Sequence, residues 1–311
     1  MAILIKVPSR IKKLKAGNAE EILRKLEKYL ESGSSVPIKI LGRFWQDQRD
    51  VITYKELREA VISGELTEQI FNEWSKDYSI LVKNHLYDIW KKAMEAGSSS
   101  QPITLGLAGY SFNTESVAVI TWMEQRGAFL ATNLAMEQKE AIQALLIQSV
   151  REKYSVDELA RFIRPCIGLT KGQAKANLRY YDSVVNSLKE QHPKMKKESI
   201  QRKAREAAAK YASRQHKQRA LTISQTEMAT AYNKGADEGI RQAQEQNLLG
   251  EVKKRWCTSG DDMVCEQCKA LEGTEVSMNS TFAIKGETTG DNLFPPAHPR
   301  CACAVEYIEV S

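Results

Sequence analysis

The chain has 311 residues, of which 42% are hydrophobic and 27% are charged, and its formal net charge is +6. These values are those of an ordinary soluble protein with about two domains, and they exclude a disordered or fibrous chain. The mild basic excess permits contact with nucleic acid or with an acidic protein surface, and it requires neither.

The sequence carries no sign of a targeting or membrane segment. Its first residues, M-A-I-L-I-K-V-P, form too short an apolar run for a signal peptide. No segment approaches the roughly 18 consecutive apolar residues of a membrane span. We therefore expect a protein that is made and used in a cytosol, where clustered cysteines bind metal in preference to forming disulfides. The basic segment 1–17 indicates a solvated tail, or an arm for phosphate or an acidic partner.

Helical periodicity dominates the first hundred residues. A helix is predicted over 19–32, and Thr53 with Glu56 forms a capping box that opens another. A longer helix follows, with an aromatic stripe that includes Trp74 and Trp90. Such a stripe is more typical of a hydrophobic core than of a surface on which bases stack.

The run at 97–102, which is rich in glycine and serine, predicts a domain boundary or a large surface loop. Beyond it a long helix is predicted over about 116–152. The turn near Gly168 has some features of a helix-hairpin-helix motif, which binds a DNA phosphate through backbone amides. The second glycine of that motif is absent, however, and Thr170 with Gln173 forms a capping box instead.

From 189 to 219 the sequence favours a strongly basic helix. Because helical repetition spreads these charges around the cylinder, an ordinary solvated face is one interpretation. A helix beside packaged DNA would carry the same excess, since affinity for duplex DNA comes largely from the neutralisation of phosphates. The candidate DNA-binding residues are Lys196, Lys197, Arg202 and Lys203.

The last sixty residues contain a Cys/His pattern that predicts a metal site. It consists of C-x2-C, a long insert and H-x2-C-x-C, and its candidate ligands are Cys265, Cys268, His298, Cys301 and Cys303. Two cysteines separated by two residues can bind one tetrahedral ion from a tight turn, and the second group completes the coordination. Zinc is the ion expected.

Five candidates for four positions leave one in excess. The preferred set is Cys265, Cys268, His298 and Cys301, with Cys303 as the substitute. The alternative without a metal is a set of reduced structural thiols. A catalytic thiol would need a base and an orienting group, and the sequence offers only one nearby histidine.

Two blocks of this region resemble a known family. The first comprises Trp256, Thr258, Asp261, Asp262, Cys265, Cys268, Leu271, Gly273 and the closing H-P-x-C-x-C at 298–303. The second is R-A-L-T-I-S-Q-T-E at 219–227, followed by A-Y-N-x-G at 231–235. Together they cover roughly the last third of the chain and resemble the head morphogenesis, or minor head, proteins of tailed bacteriophages such as SPP1 and Mu. The family commonly has arginine between the last two cysteines, where this chain has Ala302 and the nearby Arg300.

The resemblance implies a structural minor head protein and not an enzyme. It would act inside the procapsid near the portal, in the host cytoplasm during assembly and in the head interior of the virion. The implied partners are the portal protein, a capsid or scaffolding protein, and packaged DNA contacted without sequence specificity, with no membrane. The alternatives from other classes are a zinc-dependent nuclease or toxin-like enzyme, and a free-standing DNA-binding protein. Catalytic zinc needs an open coordination position and a general base, whereas four or five protein ligands close the site.

The predicted fold is mainly α, with a long helical body followed by a small α+β C-terminal module that contains the Cys/His knuckle. The expected domains are an N-terminal helical region at 1–100, a central helical body at 101–238 and the C-terminal module at 239–311. Strands are predicted over about 253–258, 274–277 and 304–310. Asp261 and Asp262 are expected to serve the turn before Cys265 by accepting backbone hydrogen bonds.

Overall fold

The computed structural model describes residues 17–152, 155–284 and 293–310. Within these ranges the chain is mainly helical and has a small three-stranded sheet near its C-terminus, so the predicted fold class is confirmed. No helix in the described ranges is both long and apolar enough to cross a bilayer. Apart from Gly17, the basic N-terminal segment lies outside the described residues.

The described residues form ten α-helices and three strands. The helices are α1 (Ala19–Gly33), α2 (Ser35–Val51), α3 (Tyr54–Ser63), α4 (Glu68–Leu81), α5 (Tyr87–Ser98), α6 (Val117–Glu152), α7 (Val156–Ile163), α8 (Lys171–Gln191), α9 (Lys197–Glu245) and α10 (Glu266–Leu271). The strands are β1 (Val252–Cys257), β2 (Glu275–Ser277) and β3 (Ala304–Glu309). A π-helical turn at Val82–Leu86 separates α4 from α5.

Side-chain caps set several helix starts where the sequence predicts them. The Thr53 hydroxyl accepts the backbone N–H of Glu56, whose carboxylate accepts the N–H of Thr53, and the same reciprocal pair joins Thr170 and Gln173. Each pair satisfies donors that the first helical turn leaves free. Helix α2 contains Pro37 in its first turn. Proline is tolerated in a first helical turn, where its missing N–H has no intrahelical partner in any case.

The chain divides into two compact units that are discontinuous in sequence. Of the described residues, unit 1 comprises those in 17–37, 86–124 and 222–310, and unit 2 comprises those in 38–85 and 125–221. These units cut across the three consecutive segments expected from the sequence. The reason lies in three helices, α2, α6 and α9, each of which contributes residues to both units.

Unit 2 is a helical assembly that contains a large hydrophobic cluster. Its buried members come from α3, α4, α6, α7, α8 and the first half of α9, where Ala204, Ala208 and Ala212 lie on the core side. Small side chains at four-residue intervals allow neighbouring helices to approach closely. The contacts of Tyr180 with Tyr211, at 4.8 Å between ring centroids, and of Gln173 with Gln215 join α8 to α9.

Unit 1 contains the sheet. Its order is β2-β1-β3 with both pairs antiparallel, and the observed strands agree with the predicted ones to within about one residue. Helix α1 and the second half of α9 contribute the core next to β1 and β3. Helix α5 crosses α9 closely, since a Cβ at Gly235 would lie 2.2 Å from the Met94 Cα. Glycine is therefore required at this crossing.

The prediction of a flexible boundary at 97–102 is wrong. Ser100 and Gln101 are each only 1% exposed. The Gln101 side-chain amide donates to the Val305 carbonyl at 3.1 Å and accepts the Tyr307 N–H at 3.3 Å. Two hydrogen bonds to the backbone of β3 thus fix a segment whose composition is typical of a linker.

Candidate metal centre

The first pair of candidate ligands is positioned by the start of α10. Cys265 is the N-cap of this helix, and its Sγ atom accepts the backbone N–H of Cys268 at 3.4 Å. The extended backbone of Cys265 (φ −70°, ψ 161°) turns directly into the helix. Both sulfur atoms are thereby presented on one side of a tight turn, as the C-x2-C spacing predicts.

The second group lies on the turn before β3. The Cys301 N–H donates to the His298 carbonyl at 3.1 Å, which closes this turn. Between them, Arg300 has φ +61°, in the left-handed region that residues other than glycine seldom adopt. A conformation of this kind costs of the order of 1 kcal/mol, so neighbouring contacts must hold it.

The fold brings all five predicted ligands together in two overlapping groups. Cys265, Cys268 and His298 form one group and Cys268, Cys301 and Cys303 form the other, with the ligand atoms of each group within 4.8 Å of one another. The His298 Nε2 atom lies 3.2 Å from the Cys265 Sγ and 3.6 Å from the Cys268 Sγ. The Cys268 and Cys301 sulfur atoms are 3.8 Å apart. Cys268 is common to both groups and could join them around one metal ion.

The tautomer of His298 suits a metal ligand. Its Nδ1 atom lies 3.0 Å from the carbonyl oxygen of Pro299. Because a carbonyl can only accept, Nδ1 carries the proton in the neutral ring, and Nε2 directs its lone pair toward the two sulfur atoms. Metal-bound histidines commonly donate their other ring N–H to a backbone carbonyl in this way, which fixes the tautomer and the orientation of the ring.

The three cysteines of the second group are buried. Cys268, Cys301 and Cys303 are 1%, 3% and 4% exposed, whereas Cys265 and His298 are half-buried. Hydrogen bonds with Cys268 and Cys303 lower the pKa of the Cys301 thiol. The hydrogen bond with Cys301 raises the pKa of the Cys268 thiol, and the hydrogen bond with Cys268 raises the pKa of the Cys303 thiol. A divalent cation bound here would neutralise the thiolates that ligate it.

Asp261 serves the turn that precedes Cys265. Its carboxylate accepts the Met263 N–H at 2.8 Å, and its carbonyl accepts the Val264 N–H at 3.3 Å. The predicted structural role is confirmed for this residue. Asp261 is 7% exposed, so the carboxylate is committed to the turn and not to solvent.

Helix α9 supports the second group of ligands directly. The Arg300 N–H donates to the Thr226 hydroxyl at 3.0 Å, and the Arg300 guanidinium donates to the Gln225 side chain at 3.1 Å. Farther along, the Asn233 amide donates to the Cys303 carbonyl at 3.2 Å. Sequence reasoning identified both motif blocks but not these contacts, because no local pattern relates residues some seventy positions apart.

The four predicted DNA-binding residues lie elsewhere, in unit 2 at the start of α9. Lys196, Lys197, Arg202 and Lys203 are all exposed. Arg202 forms an ion pair with Glu206 at 3.5 Å, four residues along the helix. The structure thus keeps these residues accessible to solvent.

Residues 140–306 match the family described as Phage Mu protein F like protein. No curated protein and no solved structure matches the chain. The matched region includes α8, α9, β1, β2, the first half of β3 and all five candidate ligands, and it extends well upstream of the motifs that first indicated the relationship. Because the match covers more than half of the sequence, this chain belongs to the phage Mu protein F-like family of head morphogenesis proteins.

Proposed function

We propose that this protein is a structural minor head protein of a tailed phage, present in few copies inside the procapsid near the portal. It aids head assembly, or the packaging and ejection of DNA. Its partners are the portal protein, a capsid or scaffolding protein, and packaged DNA bound without sequence specificity. Family membership supports the general role, and the buried metal centre supports a structural part for the C-terminal module.

Zinc is the metal proposed for this site, because the candidate ligands are cysteine and histidine. With zinc–sulfur bonds of about 2.3 Å and zinc–nitrogen bonds of about 2.0 Å, a tetrahedral ion separates two sulfur ligands by about 3.8 Å and a sulfur and a nitrogen ligand by about 3.5 Å. The Cys268–Cys301 distance is 3.8 Å and the Cys268–His298 distance is 3.6 Å, while the Cys265–His298 distance is shorter at 3.2 Å. The ligands are Cys265, Cys268, His298 and Cys301, with Cys303 as the substitute.

A zinc ion at this site would cross-link the small module. The cysteines belong to the same hydrophobic cluster as Trp256, Phe282 and Tyr307, so the ion would join α10 to the turn before β3 within the core. Apparent binding free energies of structural zinc are about 10 kcal/mol or more, which is comparable with the whole stability of a small domain.

The same observations weigh against the rival proposal of a zinc-dependent nuclease. A catalytic zinc ion keeps a position open for water and has a general base beside it. Here four or five protein ligands surround the candidate site, three of them almost fully buried. The nearby Asp261 carboxylate accepts a backbone hydrogen bond within its own turn.

The test of the proposed function is association with heads. The full chain, produced together with the portal, scaffolding and capsid proteins of its own phage, should sediment with procapsids and remain in a few copies per particle. A deletion of 256–311 should reduce infectivity or correct head assembly. A chain that never sediments with procapsids, under conditions in which the portal protein does, would show that it is not a head component. Portal and terminase genes beside its own gene would give independent support.

A further inference from the structure

The first half of α9 carries a continuous basic face. Lys203, Lys210, Arg214 and Lys217 follow one another at intervals of seven, four and three residues, which places them on one side of a helix. All four side chains are exposed. The sequence had indicated charges spread around the cylinder, whereas the structure shows these four residues in one row. We call this row the basic face.

Burial of the opposite side fixes the orientation of the basic face. Ala204, Ala208 and Ala212 are at most 1% exposed and belong to the core of unit 2. His216, one turn farther along, is 6% exposed. Since these residues hold one side of α9 against the core, the helix cannot rotate about its axis. The four basic side chains therefore face solvent together.

Little negative charge offsets this face. Between 203 and 217 the sequence contains one acidic residue, Glu206. It lies on the same side of the helix, between Lys203 and Lys210, but it pairs with Arg202, which lies outside the row. Within the described ranges, no acidic side chain forms an ion pair with Lys203, Lys210, Arg214 or Lys217.

The shape and chemistry of the face suit duplex DNA better than a protein partner. Fourteen residues separate its ends, which corresponds to about 21 Å of helix, or roughly six base pairs of duplex. Protein interfaces are generally anchored by apolar and aromatic side chains. Within 197–221, all of which the structure describes, no large hydrophobic side chain is exposed. A straight row of cations without exposed apolar side chains is suited to the regularly spaced phosphates of a DNA backbone.

We infer that the basic face of α9, formed by Lys203, Lys210, Arg214 and Lys217, is the surface on which this protein contacts the phosphate backbone of duplex DNA, without regard to sequence. This inference deepens the proposed function and rests on it for the source of the DNA, which is the packaged genome. It also revises the DNA site predicted from sequence. Of the four residues predicted from sequence, Lys203 lies in the row, Lys197 and Arg202 lie off it, and Lys196 precedes the first residue of α9. Lys210, Arg214 and Lys217 are added.

The experiment compares the full chain with two charge-matched variants. In the first, Lys203, Lys210, Arg214 and Lys217 are all replaced by glutamine. In the control, the exposed residues Lys39, Arg43, Lys76 and Lys83, which also belong to unit 2, are replaced in the same way. Both variants lose three lysines and one arginine, so net charge falls equally. Binding to a labelled 30-base-pair duplex is measured by fluorescence anisotropy between 50 and 200 mM salt.

We expect the wild type and the control to share one steep salt dependence. Four phosphate contacts contribute about 3.6 to the slope of log affinity against log salt, which amounts to a roughly 100-fold change in affinity over this range. The basic-face variant should lack this component, and its melting temperature and metal content should equal those of the wild type. Two duplexes of unrelated sequence should give the same result.

Three results would overturn the inference: no binding by the wild type at 50 mM salt, an unchanged slope in the basic-face variant, or an equal loss of slope in the control. A basic-face variant that binds DNA normally but loses a protein from assembled heads would identify the face as a protein-docking surface. Association of the wild type with procapsids is measured separately, so failure of this inference can be told apart from failure of the proposed function.

Discussion

The backbone N–H of Arg300 donates to the hydroxyl of Thr226 at 3.0 Å, across seventy-four residues of sequence. Arg300 lies between His298 and Cys301 and has a left-handed backbone, with φ +61°. Its guanidinium reaches Gln225, the residue before Thr226. Helix α9 thus holds the strained residue of the turn that carries the second group of metal ligands. The two motif blocks of this family are therefore parts of one structure.

This contact predicts that Thr226 affects metal binding without being a ligand. Thr226→Val removes the acceptor and leaves a part-buried N–H unpaired, which costs about 1 to 3 kcal/mol. We expect a lower free energy of unfolding and a weaker zinc affinity, measured by urea unfolding and by competition with a chelator.

The matched control is Thr230→Val. The Thr230 hydroxyl donates to a backbone carbonyl four residues earlier on the same helix, at 2.7 Å. Thr230 therefore has a similar position on the helix but no contact with Arg300. A second control, Thr226→Ser, keeps the hydroxyl group and should behave like the wild type. Equal zinc affinities for Thr226→Val and Thr230→Val would show that α9 does not support the metal centre.

The second prediction concerns the five candidate ligands. Because Cys268 is shared by both groups, Cys268→Ser should remove the metal completely and destabilise the C-terminal module. Cys301→Ser and Cys303→Ser should differ from each other, since one of these sulfur atoms is in excess. Protein purified without chelators should contain close to one zinc ion per chain by elemental analysis.

Cys257→Ala is the control for this series. Cys257 is buried in the same module, and burial raises the pKa of its thiol to about 12, but it belongs to neither ligand group. We expect this variant to keep its zinc. The absence of metal from the wild type would refute the zinc site and leave a cluster of reduced thiols.

The third prediction is a pH dependence from His216 in unit 2. Burial lowers its pKa to about 4, and the nearby guanidinium groups of Arg49 and Arg219 act in the same direction. The unfolded chain binds the proton near pH 6.5 and the folded chain does not, so the stabilisation is complete above pH 6.5 and decreases as the pH falls toward 4. Between pH 7.5 and 5.0 the loss is roughly 2 kcal/mol.

His216→Gln should remove this part of the pH dependence, as measured by urea unfolding at both pH values. His192→Gln, at an exposed position after α8, should leave it intact. Identical pH dependence in the wild type and His216→Gln would mean that the folded protein accepts the proton. Hydrogen bonds to the carbonyls of Ile167 and Ala212, at 2.7 and 2.8 Å, would then outweigh the cost of burial.

Local signals in the sequence predicted much of this structure. The capping boxes at Thr53 and Thr170 and the three strands depend on residues that are close in sequence. The five candidate metal ligands are recognisable by residue type and spacing, and the fold brings them together in two overlapping groups. Each of these signals has a short-range physical cause. It can therefore be recognised in one sequence without knowledge of the tertiary structure.

The features that could not be predicted depend on long-range packing. Gln101 looked like part of a linker because nothing nearby shows that its side chain pairs with β3. The position of the basic face could not be predicted without knowing which side of α9 is buried. The sequence of this helix is rich in both alanine and lysine and does not show which side faces the core. Division into two discontinuous units likewise follows from the tertiary fold.

The last prediction separates a structural protein from an enzyme. If the module acts by its shape, deletion of 256–311 should impair head assembly more than any substitution of a single polar residue outside the ligand set. Asp261→Ala should weaken zinc binding and stability together with infectivity, because the lost carboxylate leaves the Met263 N–H without its acceptor in the turn before Cys265. Asp261→Asn retains an acceptor and should be milder in all three measurements.

A zinc-dependent nuclease predicts the opposite ranking. Substitution of a catalytic carboxylate would abolish turnover while zinc content, stability and incorporation into heads stayed normal. Nuclease activity of the purified chain, together with its loss in an otherwise intact Asp261→Asn or Asp262→Asn protein, would therefore establish the enzyme. Parallel losses of zinc, stability and infectivity in Asp261→Ala, with recovery in Asp261→Asn, would instead assign the carboxylate to the turn, since a general base cannot be replaced by an amide.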